Sequence, residues 1–286
     1  MRKETGNQNI IARSDLESKS WNYVITHVMT RPFRMLIHES IVLFTCIYLS
    51  LAYAIFYLYF EAYPIIFQGP DSIYHFNAGQ TGLAFLPIGI GAATCSLLFL
   101  VYDSYLARAQ ARKVPWSQIE EYRRLPLACV GGPLYVISLF WIGWSAYADV
   151  HWIVPILSGI TFGMGFLLIF MAMLNYLTDA YETFAASAQG IASTCRSVFG
   201  ALLPLASKSM FDALGIHWAC SLLAFLSLGV TIIPFVFIRY GDRIRAGSKF
   251  CQELKELKAV RRAEEEEEGR RLSARGKGVG LGKEEV

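Results

Sequence analysis

Arg196 stands near the middle of an otherwise apolar segment, TFAASAQGIASTCRSVFGALLPLA. An isolated guanidinium at the centre of a bilayer is unfavourable by roughly 2.5–3.5 kcal/mol on insertion scales, so it must face protein or water and find a partner. Gln189, Ser193 and Gly200 recur with Arg196 at spacings of three and four, which places all four on one helical face. That polar stripe predicts a segment lining a cavity or a helix interface. A second candidate is Glu61 in YLYFEAYPIIF, where Tyr53, Tyr57, Phe60 and Pro64 fall near it at the same spacings. A carboxyl group held there could take up a proton or attract a cationic ligand, because a desolvated carboxylate favours its neutral form. The plainer reading is a headgroup-level glutamate that ends the helix beside Pro64.

No acid in the chain is an obvious partner for Arg196. From Glu182 a helix rises about 21 Å to reach it, and Glu61 lies about 12 Å off in depth if the two segments enter the membrane together. Either the guanidinium is solvated in a cavity and reaches backbone carbonyls, or its partner lies on another chain. His27, His38, His75, His151 and His217 are scattered over loops and segment ends, which disfavours a shared metal site. Metalloprotease H-E-x-x-H, G-x-S-x-G, phosphate-loop and G-x-G-x-x-G patterns are absent, so no enzyme chemistry is indicated.

The elements that must position these groups are apolar spans. Of 286 residues, 54% are hydrophobic and 17% charged, against about 25% charged in a soluble domain, which argues for a membrane protein. About twenty apolar residues cross a bilayer core, and six stretches qualify: Ser40 to Phe67, Thr81 to Tyr102, Leu125 to Tyr147, Trp152 to Leu177, Thr183 to Ala206, and Ile216 to Ile238. The acidic run TDAYE is expected to turn between the fourth and fifth. Asp103 to Arg124 reads as a polar connection, and Gly159 with Gly163, like Gly89 with Ala93, has the small-residue spacing of close helix packing. The six cysteines lack metal spacing and read as buried thiols.

The chain divides into a basic arm (1–38), a six-helix bundle (39–238) and a charged, largely disordered tail (239–286). Within the arm, Trp21 to Leu36 mixes aromatic and basic residues in a pattern that suits either a helix on the bilayer surface or an ordinary cytosolic linker. Of the 26 Lys and Arg, 13 lie from Arg239 onward, and the arm and the Asp103 to Arg124 connection hold most of the rest. Basic short loops stay cytoplasmic, so both termini are assigned inside. The basic tail reads as a membrane-surface feature, and no nucleic-acid site is expected.

The runs RPFRMLIHESIVLF, YLYFEAYPIIF, LPLACVGGPLYVISLFWIGW, NYLTDAYETFAASAQ, CRSVFGALLPL and YGDRIRAGSKF resemble, in that order, the C-terminal half of fungal major facilitator superfamily transporters. The subgroup is similar to drug:proton antiporters of the multidrug and polyamine exporter type. The resemblance implies an all-α membrane protein, six transmembrane helices forming one half of a twelve-helix transporter, with the substrate path between halves. It puts Glu61, Tyr53, Tyr57, Asn175, Tyr176 and Asp179 near the substrate or proton path, and Arg196, Gln189 and Ser193 at the inter-half or coupling face. It also implies a plasma-membrane location, a proton gradient in place of a bound cofactor, and a small-molecule substrate. An N-terminal six-helix half or a second copy is expected as partner, since nothing before Arg31 is long and apolar enough to supply six more helices. The rival expectation is a truncated, non-transporting membrane protein that is inert or binds a partner. The chain departs from the family pattern at Glu39 and Ser40, where Glu-Pro is usual, and near Glu182.

Overall fold

A computed structural model describes residues 29–70, 72–248, 250 and 252, without the side chains of Gln118, Glu120 and Asp242. The described chain is helical: α1 (Arg31–His38), α2 (Ser40–Phe67), α3 (Ala78–Ala84), α4 (Leu86–Ala111), α5 (Glu120–Ser145), α6 (Ile153–Tyr181), α7 (Ala185–Leu205) and α8 (Ser207–Gly247). Single 3-10 turns lie at Pro115–Gln118 and Glu182–Phe184. Only one isolated bridge, Gln68 to Phe76, interrupts this pattern among the described residues.

Five helical stretches are long and apolar enough to cross a membrane, and one of them, Ile153–Leu205, is 53 residues long. That stretch folds back at the Glu182–Phe184 turn into α6 and α7, so the bundle contains six spans. The first span has the bounds read from the sequence, with Pro64 inside the helix rather than ending it. The other boundaries differ. Thr178 to Tyr181, expected as part of the turn, continue α6, because none of them breaks a helix; the reversal falls at Glu182, with φ 33°. The second span runs on to Ala111 through DSYLARAQA, a run of mostly good helix formers, and stops where Lys113 takes a positive φ of 54°. The third starts at Glu120.

α7 and α8 are joined at Ala206 without a loop, and the sixth span begins at a kink where Gly215 adopts φ 69° and ψ 170°. A glycine there admits the left-handed angle without a Cβ clash. α8 then continues to Gly247, nine residues beyond the expected end at Ile238, so part of the segment assigned to the tail is helix. Of the expected surface helix over Trp21 to Leu36, only α1 is described; the rest of that expectation, like most of the tail, lies outside the described residues.

α2 and α6 occupy the middle of the bundle. α5 packs along α6 and α8, α4 flanks α6, and α7 flanks α2 while touching α6. A Cβ on Gly163 would sit 2.2 Å from the Ile88 carbonyl oxygen, and one on Gly91 would sit 2.1 Å from that of Ile160. α4 and α6 therefore touch backbone to backbone, as small residues allow in a bilayer. The expected pair of Gly89 with Ala93 is not the face used, since Gly89 has open space around it.

The outward surface is apolar on several sides at once: Leu100 and Val101 on α4, Leu202 and Leu205 on α7, and Trp218 and Phe225 on α8 are all exposed. So much large apolar surface is stable only where hydrocarbon is the solvent or another apolar body covers it.

Candidate functional site

Three helices meet on one open face, and the residues that face it are spaced by helical turns. On α2, Tyr53, Tyr57 and Glu61 follow one another at intervals of four, with Tyr57 40% exposed and Glu61 exposed. The Tyr53 and Tyr57 rings meet edge to face at 5.1 Å, and their hydroxyls lie 3.2 Å apart. On α6, Phe166 and Phe170 repeat at the same interval, and Phe162, one turn earlier, is fully buried. Phe56 of α2 stacks on Phe166 at 4.4 Å, and Phe166 continues to Phe170 at 5.5 Å. The rings form a ladder from Phe85 and Phe60, 5.0 Å apart, through Phe56 to Phe170.

α7 closes the face. Gly200 stands against the tyrosines, where a Cβ would lie 2.9 Å from Tyr53 Cδ1, so the missing side chain lets α2 and α7 approach. Arg196, one turn earlier, is half-buried. Its guanidinium lies 4.6 Å from the Phe170 ring centre and 5.7 Å from that of Tyr53. One terminal nitrogen donates to Ser193 Oγ at 3.3 Å. Among the described residues no carboxylate is within ion-pair distance of it. Arg196 is thus held by aromatic faces, which attract a cation through the ring quadrupole; the backbone carbonyls expected as acceptors are not what it reaches.

The other sequence candidates fall elsewhere. Gln189 donates to Thr178 Oγ1 at 2.6 Å, which ties α7 to α6 near its end instead of facing the aromatic ladder. Asn175 is half-buried on α6, about 7.5 Å along the axis from Phe170. Tyr176, expected near the path, is fully buried against Phe237 of α8. Neighbouring helical residues point about 100° apart, so Tyr176 and Asn175 do not share a face.

Asp179 is engaged at the end of the bundle where α1, the α4–α5 connection and the end of α8 gather, here called the basic end. Arg124 of α5 donates through Nε to Asp179 at 3.2 Å and through Nη1 to Asp103 of α4 at 3.0 Å. One guanidinium so fastens α4, α5 and α6. A cavity of about 450 Å³ opens beside it, lined by Asp103, Leu106, Arg123, Arg124, Asp179 and Glu182. Two further braces there were not foreseen. Arg245 of α8 pairs with Glu121 of α5, whose side chain is 2% exposed. Glu39, 1% exposed, accepts from the Tyr181 hydroxyl at 2.9 Å and from the backbone N–H of Phe250 at 3.4 Å.

The opposite end uses different means. Tyr74 donates to the Tyr147 carbonyl at 3.1 Å, and partial burial holds its phenol above the ordinary pKa, so it stays a donor. His217 stacks on Tyr147 at 4.3 Å. Trp144 Nε1 donates to Ser221 Oγ at 3.0 Å.

A helical bundle with six apolar spans and a cationic, aromatic face at membrane depth defines a multi-pass membrane protein. The pattern of the Major Facilitator Superfamily matches residues 2–204, and the chain belongs to that family. It is 40% identical over 240 residues to the efflux pump FUB11 of Gibberella fujikuroi, covering 84% of this chain and 41% of that protein. It is 39% identical over 224 residues to the major facilitator superfamily multidrug transporter mdrA of Aspergillus fumigatus, covering 78% and 36%. It is also 40% identical over 249 residues to an uncharacterized transporter, C36.01c, of Schizosaccharomyces pombe, covering 87% and 42%. The chain spans about two fifths of the length of these relatives. No solved structure matches it at a significant level.

Proposed function

We propose that this chain is the C-terminal six-helix half of a proton-coupled exporter of amphipathic small molecules. Its path would run along the α2, α6 and α7 face, between this half and an N-terminal six-helix half or a second copy. The observation that carries the reading is Arg196 at membrane depth among Tyr53, Tyr57 and Phe170, a polar and aromatic face that a lipid-facing helix would not present. Its similarity to an efflux pump and to a multidrug transporter supports it. Export of cationic drugs or polyamines is the finer version, and it hangs on Glu61 as acidic ligand or proton site. Both termini are assigned to the cytoplasm of a plasma membrane, with the basic end inward.

The test is flux of a fluorescent amphipathic drug in proteoliposomes under an imposed proton gradient. The chain reconstituted with a complementary six-helix unit is expected to move the dye, and Glu61→Gln to remove the pH dependence of that flux. Absence of flux with the complementary unit present would favour the non-transporting reading. Unchanged pH dependence in Glu61→Gln would retire Glu61 as the proton site.

A further inference from the structure

We propose that Arg196 is the recognition group for an anionic head, a carboxylate or its equivalent, on a flat aromatic ligand that stacks along Tyr53, Tyr57 and Phe170. In calling that ligand a transported substrate, the inference rests on the transport reading above; as a binding site it stands on the geometry alone. A guanidinium carries five N–H donors in a planar fork that matches a carboxylate in two parallel hydrogen bonds. Here one described side-chain contact, to Ser193, uses a donor. The rings of Phe170 and Tyr53 hold the cation in place without neutralising it.

The described carboxylates near these helices are committed or remote. Asp179 and Asp103 share Arg124. Glu39 accepts from Tyr181. Glu61 is eight residues from Tyr53, about 12 Å along the same helix. A half-buried cation with no carboxylate in ion-pair range among the described residues attracts an arriving anion, because partial burial weakens the screening by water. The face beside it suits the rest of such a ligand. Tyr57 is 40% exposed and its hydroxyl is paired with that of Tyr53, while the α7 backbone at Gly200 backs the two rings on one side. A second flat ring can extend the ladder by offset or edge contact. A multiply charged cation, by contrast, would meet Arg196 as a like charge.

The experiment is equilibrium binding to the purified chain in lipid nanodiscs, with 2-naphthoate as probe and its neutral amide, 2-naphthamide, as control. Naphthoate is expected to bind at least about tenfold more tightly than the amide, a preference that weakens as salt rises. Arg196→Gln should abolish the preference, and an unchanged far-UV circular dichroism spectrum in the same nanodiscs reports that the variant is folded. Arg196→Lys should keep only part of it, since an ammonium cannot form the bidentate pair. Equal affinity for the two probes, no binding of either, or a preference that survives Arg196→Gln would overturn the proposal. So would loss of the preference when a complementary six-helix unit is added, because the partner would then be a carboxylate of that unit. None of these readouts uses flux: charge-selective binding without transport would sink the transport reading alone, and dye flux without charge-selective binding would sink this site alone.

Discussion

Two arginines in this bundle are handled in opposite ways. Arg124, at the basic end, is gripped by Asp103 and Asp179 at 3.0 and 3.2 Å and fixes three helices relative to one another. Arg196, at mid-span, has no carboxylate within reach among the described residues and leans on Phe170 and Tyr53. On the proposed reading, the difference follows from what each does. The Arg124 pairs are partly exposed, so they can set the positions of three helices at a small desolvation penalty. Deep in the span, a built-in acid would neutralise the guanidinium and leave it inert, whereas aromatic faces hold it and leave its donors available. The basic end is thus a clasp and the aromatic face an opening.

The strongest way to break this contrast is at the clasp's most buried pair. Arg245→Met leaves the Glu121 carboxylate, 2% exposed, without its guanidinium. Removing one member of a buried ion pair destabilises by about 3–5 kcal/mol, because the other keeps its desolvation penalty and loses that attraction. A thermal unfolding scan in detergent should show that loss, and the double change Glu121→Met with Arg245→Met should recover most of it. If Arg245→Met unfolds at the wild-type temperature, the basic end is not what holds α5 to α8.

A smaller effect is expected at Arg124. Its side chain is 23% exposed and those of Asp103 and Asp179 are 44% and 35% exposed, so solvent screens the pairs. Arg124→Met should cost about 1–2 kcal/mol, above a single surface pair because two carboxylates are left facing each other. Asp103→Asn in that background should give part of it back. A loss as large as that at Arg245 would mean that screening there is weaker than the exposures imply.

Much of the frame was legible before any coordinates. Ser40–Phe67 is free of Lys and Arg and ends where polar loop residues begin, so its bounds could be read directly. The sixth span was placed from Ile216, and the structure puts the kink that precedes it at Gly215, with its positive φ. Ends without a breaker could not be read. Thr178 to Tyr181 looked like a turn only because Asp179 is charged, yet Arg124 satisfies that charge from another helix and α6 runs on. The site was half legible. Spacing alone put Tyr53, Tyr57 and Glu61 on one face and Arg196 on a polar stripe. The repeat of Phe162, Phe166 and Phe170 was also there to be counted, but nothing local said that it would meet Arg196. Tyr181 and Glu39 are 142 residues apart in sequence, and a contact of that kind comes only from the packing of whole helices.

The smallest expected effect is the sharpest test, because it asks whether Arg196 stabilises anything. Replacing it by Met removes a charge that is unfavourable at mid-bilayer by roughly 2.5–3.5 kcal/mol. It also removes two cation–π contacts, each worth about 0.5–2 kcal/mol depending on how dry they are. A methionine sulfur against the same rings restores part of that contact. The opposing effects are of similar size, so Arg196→Met should shift stability by less than about 1 kcal/mol in either direction, well below Arg124→Met in the same unfolding scan. A shift that small would agree with the proposed binding role of Arg196 rather than with a bracing one. A destabilisation above about 2 kcal/mol, comparable with the clasp, would instead make Arg196 a brace like Arg124 and erase the distinction between the basic end and the aromatic face.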